Sequence, residues 1–400
     1  MDIRPMRSWI HHSRGTVLRQ AGVARHEVGD LHEDMLTRHG FEGRDAHLYR
    51  RNEPTAWKRA EGSGNHLDID GRLLEPSDLT HANGGPLRLF HNPDVSIWVS
   101  RRSANMTYSA RNADGDELYF VHEGTGAFYT EFGPIPYEPG DYVVMPKGVT
   151  YRIRPTGPVN YFLIVETTEE LGFADIGPLG RRAPFDPALL YVPSPALDEL
   201  GDGRTEDGEW PVRIKLQGEY TSAFYDFDPI DAEGWKGDLF PFKINIRDFR
   251  PITSDRIHLM PSAHSIFATS TVVVGNLLPR PLEAAPDAEQ FPPYHRNMDY
   301  DEFMFTHSGT ALGLPIAPAS VSLTPRGLHH GLPTSVEEEL RKNIKPGDRA
   351  DFEFIFVDTA QSLTPTPEAQ AKKREEQIFR VGLGPATITD NDAFEVPDND

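Results

Sequence analysis

His295, Glu302 and His330 are the residues whose types and spacing best suit a chemical task. Two imidazoles and one carboxylate suit Fe(II) and leave coordination positions open for a substrate and O2. The first two lie in the run Pro292-Pro293-Tyr294-His295-Arg296-Asn297-Met298-Asp299-Tyr300-Asp301-Glu302, and Gly309 follows seven residues after the glutamate. The third closes Pro325-Arg326-Gly327-Leu328-His329-His330. For one ion to be reached, His295 must lie on a strand before a turn and Glu302 on the strand after it. Both side chains must then point into a small barrel. His330 must arrive from a later strand on the other wall. Either motif alone is what ordinary polar residues near loops would give. Both together, in order and with their glycines, point to a metal site.

Composition fits such a scaffold. Four hundred residues are enough for two domains. Hydrophobic content of 38% and charged content of 25% are those of a soluble globular chain. With 34 glycines and 35 prolines, long helices are disfavoured and many short strands and turns are expected. A net charge of −21 repels a phosphate backbone and an anionic membrane, so no nucleic-acid or membrane partner is expected. The chain has no cysteine, which excludes disulfides, Fe–S clusters, thiolate zinc sites and cysteine nucleophiles. Met1–Ser13 lacks an apolar signal core, and no apolar run is long enough to span a bilayer. A cytoplasmic location is the default expectation.

Stepping along the chain, a first strand-rich block runs from about Leu87 to Glu166. It contains Ser96–Val99, Leu118–Val121, Ala127–Thr130, Tyr142–Met145 and Tyr161–Val165, each short and β-branched or aromatic. Residues 167–210 read as an inter-domain connection. A second block, from about Pro211 to Val357, contains Val212–Lys215, Phe242–Ile246, Thr271–Val274, Phe303–Phe305 and Phe352–Val357. Val28–His39 and residues 366–378 are predicted as short helices near the termini. The two blocks share a skeleton. Glu117, Gly124 and Pro146-x-Gly148-x-x-Tyr151 repeat as Glu302, Gly309 and Pro325-x-Gly327-x-x-His330. Asn112 corresponds to Asn297, but no histidine of the first block matches His295. We therefore expect an all-β chain of two barrels in tandem. Residues 1–205 would form a metal-free N-terminal domain and residues 206–400 a metal-binding C-terminal one.

The spacing resembles that of the cupin superfamily, whose jelly-roll barrels carry His-x-His, a glutamate, a glycine and a later Pro-x-Gly-x-x-His. Here Asn297 replaces the second histidine of the first motif. The likeness extends further. Pro292-Pro293-Tyr294-His295-Arg296-Asn297 followed by Glu302-Phe303-Met304 resembles the metal motif of the homogentisate 1,2-dioxygenases. Gly237–Asn245 is similar to that family's Gly-Asn-x-x-Pro-Tyr segment, and Ser265-Ile266-Phe267 to its Ser-Ile-Phe. His47-Leu48-Tyr49 and Thr55-Ala56-Trp57-Lys58-Arg59 resemble bacterial members. The resemblance implies a bicupin Fe(II) dioxygenase that opens a hydroxylated aromatic ring. It implies Fe(2+) on His295, Glu302 and His330, with a small aromatic substrate and O2 as partners. A histidine before the Ser-Ile-Phe segment is implied as the proton-transfer residue. His264 is the first candidate and His258 the second, because Pro261 stands at the family's own position. Tyr294, Asn297 and Thr324 are expected to meet the substrate. Thr324 replaces a substrate-contacting histidine, and Ala311 replaces a carboxylate-binding tyrosine, so homogentisate would lose two anchors. His307 and His329 are read as structural, and a homo-oligomer is expected. The competing readings are a cupin using Mn or Zn for isomerisation or decarboxylation, and a binding bicupin without catalysis.

Overall fold

A computed structural model describes residues 12–18, 29–38, 44–60, 62, 64–175, 185–195, 207–259, 261–285, 288, 291–311, 314–345 and 347–374. A leading arm supplies β1 (His32–Thr37), β2 (Asp45–Arg50) and β3 (Leu67–Asp70). The first barrel follows as β4 (Leu87–His91), β5 (Val95–Ser100), β6 (Ser109–Asn112), β7 (Asp116–Glu123), β8 (Gly126–Thr130), β9 (Gly133–Tyr137), β10 (Asp141–Met145), β11 (Thr150–Pro155) and β12 (Tyr161–Thr167). After β13 (Gly172–Phe173) comes a second arm of β14 (Trp210–Leu216), β15 (Glu219–Tyr225) and β16 (Phe242–Asn245). The second barrel contains β17 (Ser265–Ala268), β18 (Val272–Leu277), β19 (Arg280–Pro281), β20 (Tyr294–Asn297), β21 (Asp301–Ser308), β22 (Thr310–Ala311), β23 (Leu314–Pro315), β24 (Ser320–Thr324), β25 (Arg349–Ala350) and β26 (Glu353–Thr359). α1 (Thr334–Asn343) lies within it, and β27 (Thr364–Pro365) and α2 (Pro367–Ala371) end the described chain. The chain is all-β, as expected, and forms two jelly-roll barrels in tandem.

The arms are exchanged. In the first barrel, one sheet has the order β16-β10-β7-β12-β5-β4-β27 and faces a second of order β15-β14-β6-β11-β8-β9. In the second barrel, the corresponding orders are β13-β17-β18-β26-β21-β24-β3 and β2-β1-β20. The leading arm thus completes the second barrel and the second arm completes the first. The pairing matches strand for strand. β14 runs parallel to β6 as β1 runs parallel to β20, and β16 pairs antiparallel with β10 as β3 does with β24. Val212–Lys215 and Phe242–Ile246, read above as part of the second block, contribute to first-barrel sheets. Strand pairing interleaves across residue 205.

Within the segment expected as a helix over Val28–His39, His32–Thr37 forms strand β1 instead, and residues 28 and 39 lie outside the described ones. Asp34, Met35 and Thr37 are buried where β1 lies against β20. Long-range pairing outweighs local helix propensity there. The helix expected over 366–378 spans Pro367–Ala371, with Thr366 as its N-cap, and residues from 375 onward lie outside the described ones. Between the barrels, apolar faces of both seven-stranded sheets form one core. Phe90 meets Phe303 at 5.7 Å and Phe120 meets Phe305 at 6.3 Å between ring centroids. Burying each such ring contributes about 1.5–3 kcal/mol, which holds the sheets face to face.

His122 and His307 meet in this same layer. Each stands five residues beyond the glutamate of its block. Their Nδ1 atoms are 2.9 Å apart.

Candidate metal centre

Strands β20 and β21 follow each other in the chain but belong to the two different sheets of the second barrel. Asn297 closes the turn between them, its Oδ1 accepting from the amides of Asp299 at 3.2 Å and Tyr300 at 3.3 Å. Strand alternation then turns His295 and Glu302 inward. His330 is brought in by a two-way backbone bridge to His295, with both N–H···O distances 2.9 Å. The motif glycines have conformational reasons. Gly327 turns the chain at φ +79°, and Gly309 has φ +90° with a Cβ position only 2.1 Å from the Asp351 carbonyl oxygen.

One donor atom from each of His295, Glu302 and His330 lies within 4.8 Å of the others. His330 Nε2 is 2.9 Å from Glu302 Oε2, and His295 Nε2 is 4.0 Å from Glu302 Oε1. His295 Nδ1 faces the Pro293 carbonyl at 2.9 Å, and His330 Nδ1 faces that of Leu328 at 3.1 Å. Each ring therefore donates its Nδ1–H to backbone and aims the Nε2 lone pair at the shared centre. Glu302 Oε1 is buried without a hydrogen-bond partner. Two oriented imidazoles and an unsatisfied carboxylate oxygen fit a divalent cation.

The electrostatics agree. Burial, then the neighbouring His330, lowers the pKa of His295 to about 4, so the ring is neutral at pH 7. Burial would raise Glu302, but the two imidazoles and the Asn297 amide outweigh it and bring the carboxyl to about 2. His330 is drawn down by burial but raised overall by Glu302.

The triad lines a cavity of about 280 Å³. Thr324, expected to meet the substrate, is on its wall and is paired in register with Glu302. His258 is on the wall too, with Nδ1 3.3 Å from Glu283 Oε1. His264 is not on the wall. It lies buried near Arg280 and His258, and burial followed by those charges lowers its pKa to about 4. Tyr294 also lies off the wall, because alternation points it away from His295. Its hydroxyl meets Thr334 Oγ1 at 2.8 Å. Asn297 serves the turn. His329 stands 3.2 Å from Asp34 Oδ2 in a cluster with Arg50 and Arg296, outside the metal triad.

Three cavity residues escaped the sequence reading: His66, Asp68 and Arg280. His66 Nδ1 is 3.0 Å from Thr324 Oγ1, and its Nε2 is 3.0 Å from Asp68 Oδ1. The leading arm thus carries an imidazole to the threonine that replaces the family's histidine. The signal was His66-x-Asp68, a spacing that puts both side chains on one face of a strand. Arg280 is buried and stacks on Phe352 at 5.3 Å. Among the described residues, no helix is long and apolar enough to cross a membrane.

Comparison with known proteins follows the same lines. Residues 80–246 match the family described as homogentisate 1,2-dioxygenase N-terminal. A protein of Saccharolobus solfataricus, provisionally named a dioxygenase, is 29% identical over 374 residues, 88% of this chain and 94% of its own length. The homogentisate 1,2-dioxygenase of Nitrobacter hamburgensis is 28% identical over 55% of this chain and 50% of its own. That of Pseudomonas putida KT2440 is 26% identical over 69% of this chain. The match spans 64% of the Pseudomonas enzyme, so both homogentisate enzymes are covered over less than two thirds of their length. Among solved structures, a cupin 2 conserved barrel domain protein from Leptotrichia buccalis aligns at 10% identity with a TM-score of 0.37, over 76% of this chain and all of that one. In motifs, paired barrels and sequence matches, the chain is similar to the homogentisate 1,2-dioxygenases.

Proposed function

We propose that the chain is an Fe(II)-dependent dioxygenase that cleaves the ring of a hydroxylated aromatic acid, with His295, Glu302 and His330 holding the metal. The observation that carries this reading is the convergence of the three donors on a cavity that also contains a buried guanidinium. The names of the relatives support it. When bound, ferrous iron supplies open positions and the electron transfer through which a phenolic ring and O2 can react.

The chain's own residues do the rest. Arg280 meets the substrate carboxylate, and the low dielectric of the cavity strengthens their attraction. Phe291, Phe352 and Met304 give the cavity apolar walls that seat the ring and exclude water. His66 holds a proton at the substrate hydroxyl, and Asp68 fixes its tautomer and orientation. His258 is the second candidate for this role and His264 lies behind it. The imidazole lost at Thr324 is replaced from the leading arm, which restores one of the two anchors missing for homogentisate.

The test is anaerobic Fe(II) loading, then oxygen-uptake screening across dihydroxy- and aminohydroxy-aromatic acids and their uncharged analogues. Uptake coupled to ring opening, strongest for acids, is expected. Stoichiometric iron with no oxygen uptake on any of them would refute ring cleavage.

A further inference from the structure

The first barrel has its own cavity, of about 490 Å³, at the place where the second barrel has its triad. Strand register fixes the correspondence. Ala110, paired with Tyr151, occupies the position of His295, paired with His330. Glu117 occupies that of Glu302. With Ala110 and Tyr151 in place of two imidazoles, the metal set is gone, yet the interior has not been filled. Its volume lies within the roughly 300–1,000 Å³ of small-molecule sites.

The lining is built of specific polar contacts. Tyr151 donates its hydroxyl to Glu117 Oε2 at 2.8 Å and lies 2.6 Å from the Tyr119 hydroxyl. Two nearby acids, Asp78 on the wall and Glu166 off it, are neutralised. Asp78 accepts from Ser100 at 2.5 Å and has Arg102 at 3.8 Å. Glu166 is bound by Lys215, by Trp98 Nε1 at 2.9 Å and by Asn112 Nδ2 at 3.1 Å. Among the described residues, two guanidiniums on the wall are left without a carboxylate: Arg111, whose Nε donates to Thr150 Oγ1 at 2.9 Å, and Arg213. Arg213, beside Ala110 in register, donates to the Asn83 carbonyl at 2.7 Å and lies 3.8 Å over the Tyr108 ring. It pairs with no carboxylate among the described residues. Trp98, Tyr108 and Tyr220 present aromatic surface to the same space.

We propose that this cavity is a second ligand site, which takes a small hydroxylated aromatic monocarboxylate with its carboxylate on Arg213 and its hydroxyl on the Glu117–Tyr151 pair. The Arg213 guanidinium sets the charge of the ligand, the aromatic faces set its body, and the Glu–Tyr pair sets the hydroxyl. The inference is independent of the metal chemistry assigned to the other barrel. It carries a distinctive pH signature. Burial, then the charge of Glu166, pushes Glu117 up to about 7. A carboxylate entering beside it is repelled by the ionised form and accepted by the protonated one. Binding therefore takes up a proton, and affinity falls as pH rises through 7.

The experiment is a calorimetric titration of the full-length, metal-loaded protein with 4-hydroxybenzoate at pH 6, 7 and 8. It is run in an Arg280→Met background, which removes the guanidinium of the other cavity. One equivalent should bind, about tenfold more weakly at pH 8 than at pH 6. Arg213→Met should weaken it at least tenfold, and phenol should bind no better to Arg213 protein than to the variant. Glu117→Gln, which mimics the protonated acid, should retain binding and abolish the pH dependence. The proposal is overturned if no saturable binding occurs in the millimolar range. It is also overturned if Arg213→Met, folded by its circular dichroism, binds as well as its parent, or if Glu117→Gln leaves the pH dependence unchanged.

Discussion

The His122–His307 contact between the barrels permits a quantitative prediction about acid stability. Both rings sit among aromatics, with His122 edge-on to Phe305 at 5.1 Å and to Tyr161 at 5.2 Å. Their Nδ1 atoms share one proton, so both rings are neutral in the fold. Burial, then the facing His307, lowers the pKa of His122 to about 3. Burial lowers His307 as well. An unfolded histidine titrates near 6.5. Above that pH neither state takes a proton and the pair's stabilisation is complete. As pH falls below 6.5 the unfolded chain protonates while the fold does not, and stability is lost down to the folded value. From pH 7.5 to 5.5, His122 alone should cost about 1.4 kcal/mol. Replacing His122 by Leu strands the His307 nitrogen and should cost about 1–3 kcal/mol at pH 7.5. Replacing both by Leu removes the unsatisfied group and should recover most of that loss. Urea unfolding followed by circular dichroism at both pH values, for wild type, both single variants and the double variant, gives the cycle. If the double variant loses as much stability on acidification as wild type, or if the single costs simply add, the assignment of a proton-sharing neutral pair is wrong.

Elemental analysis after Fe(II) reconstitution should find one metal per chain. His295→Ala, Glu302→Ala and His330→Ala should each lose it while circular dichroism stays that of wild type. His66→Ala should keep the metal but lower kcat by about a hundredfold to ten-thousandfold, whereas His264→Ala, whose ring is off the cavity wall, should have a far smaller effect. Steady-state oxygen uptake with metal content measured in parallel separates these. Arg280→Met should raise KM for carboxylated aromatics and leave that for uncharged analogues unchanged. Halves of a chain broken at residue 205 should co-purify when co-expressed, because each supplies strands to the other's barrel, and size-exclusion chromatography reads the result.

Much of this was legible in the residues, for identifiable reasons. The triad, its turn and its glycines are local in sequence, so spacing alone specifies their geometry. The short β-branched strands between Gly and Pro breakers were likewise recoverable. What escaped is non-local. Val28–His39 has a composition that tolerates a helix, and it is pairing with β2 and β20 that makes His32–Thr37 a strand. Val212–Lys215 and Phe242–Ile246 read as strands, but nothing local says which barrel they join. His66 and Arg280 reach the cavity from segments 229 and 15 residues before His295, the first on an exchanged arm. Alternation along β20 correctly separates His295 from Tyr294, and applying it would have moved Tyr294 off the substrate.

The reciprocal exchange of arms has a consequence for biosynthesis and for descent. The leading arm leaves the ribosome before either barrel, yet the strands it must join, β20 and β24, are made more than 200 residues later. It must wait through the making of the entire first barrel, which itself awaits the second arm. Neither barrel can close until much of the chain is out, so assembly is late and concerted and not domain by domain. The same lock applies to the gene. After duplication, a copy that has lost its metal would normally be free to decay or be deleted. Here the first barrel is threaded into its neighbour, and deleting it with its arm would remove His66, Asp68 and the strands that close the second barrel.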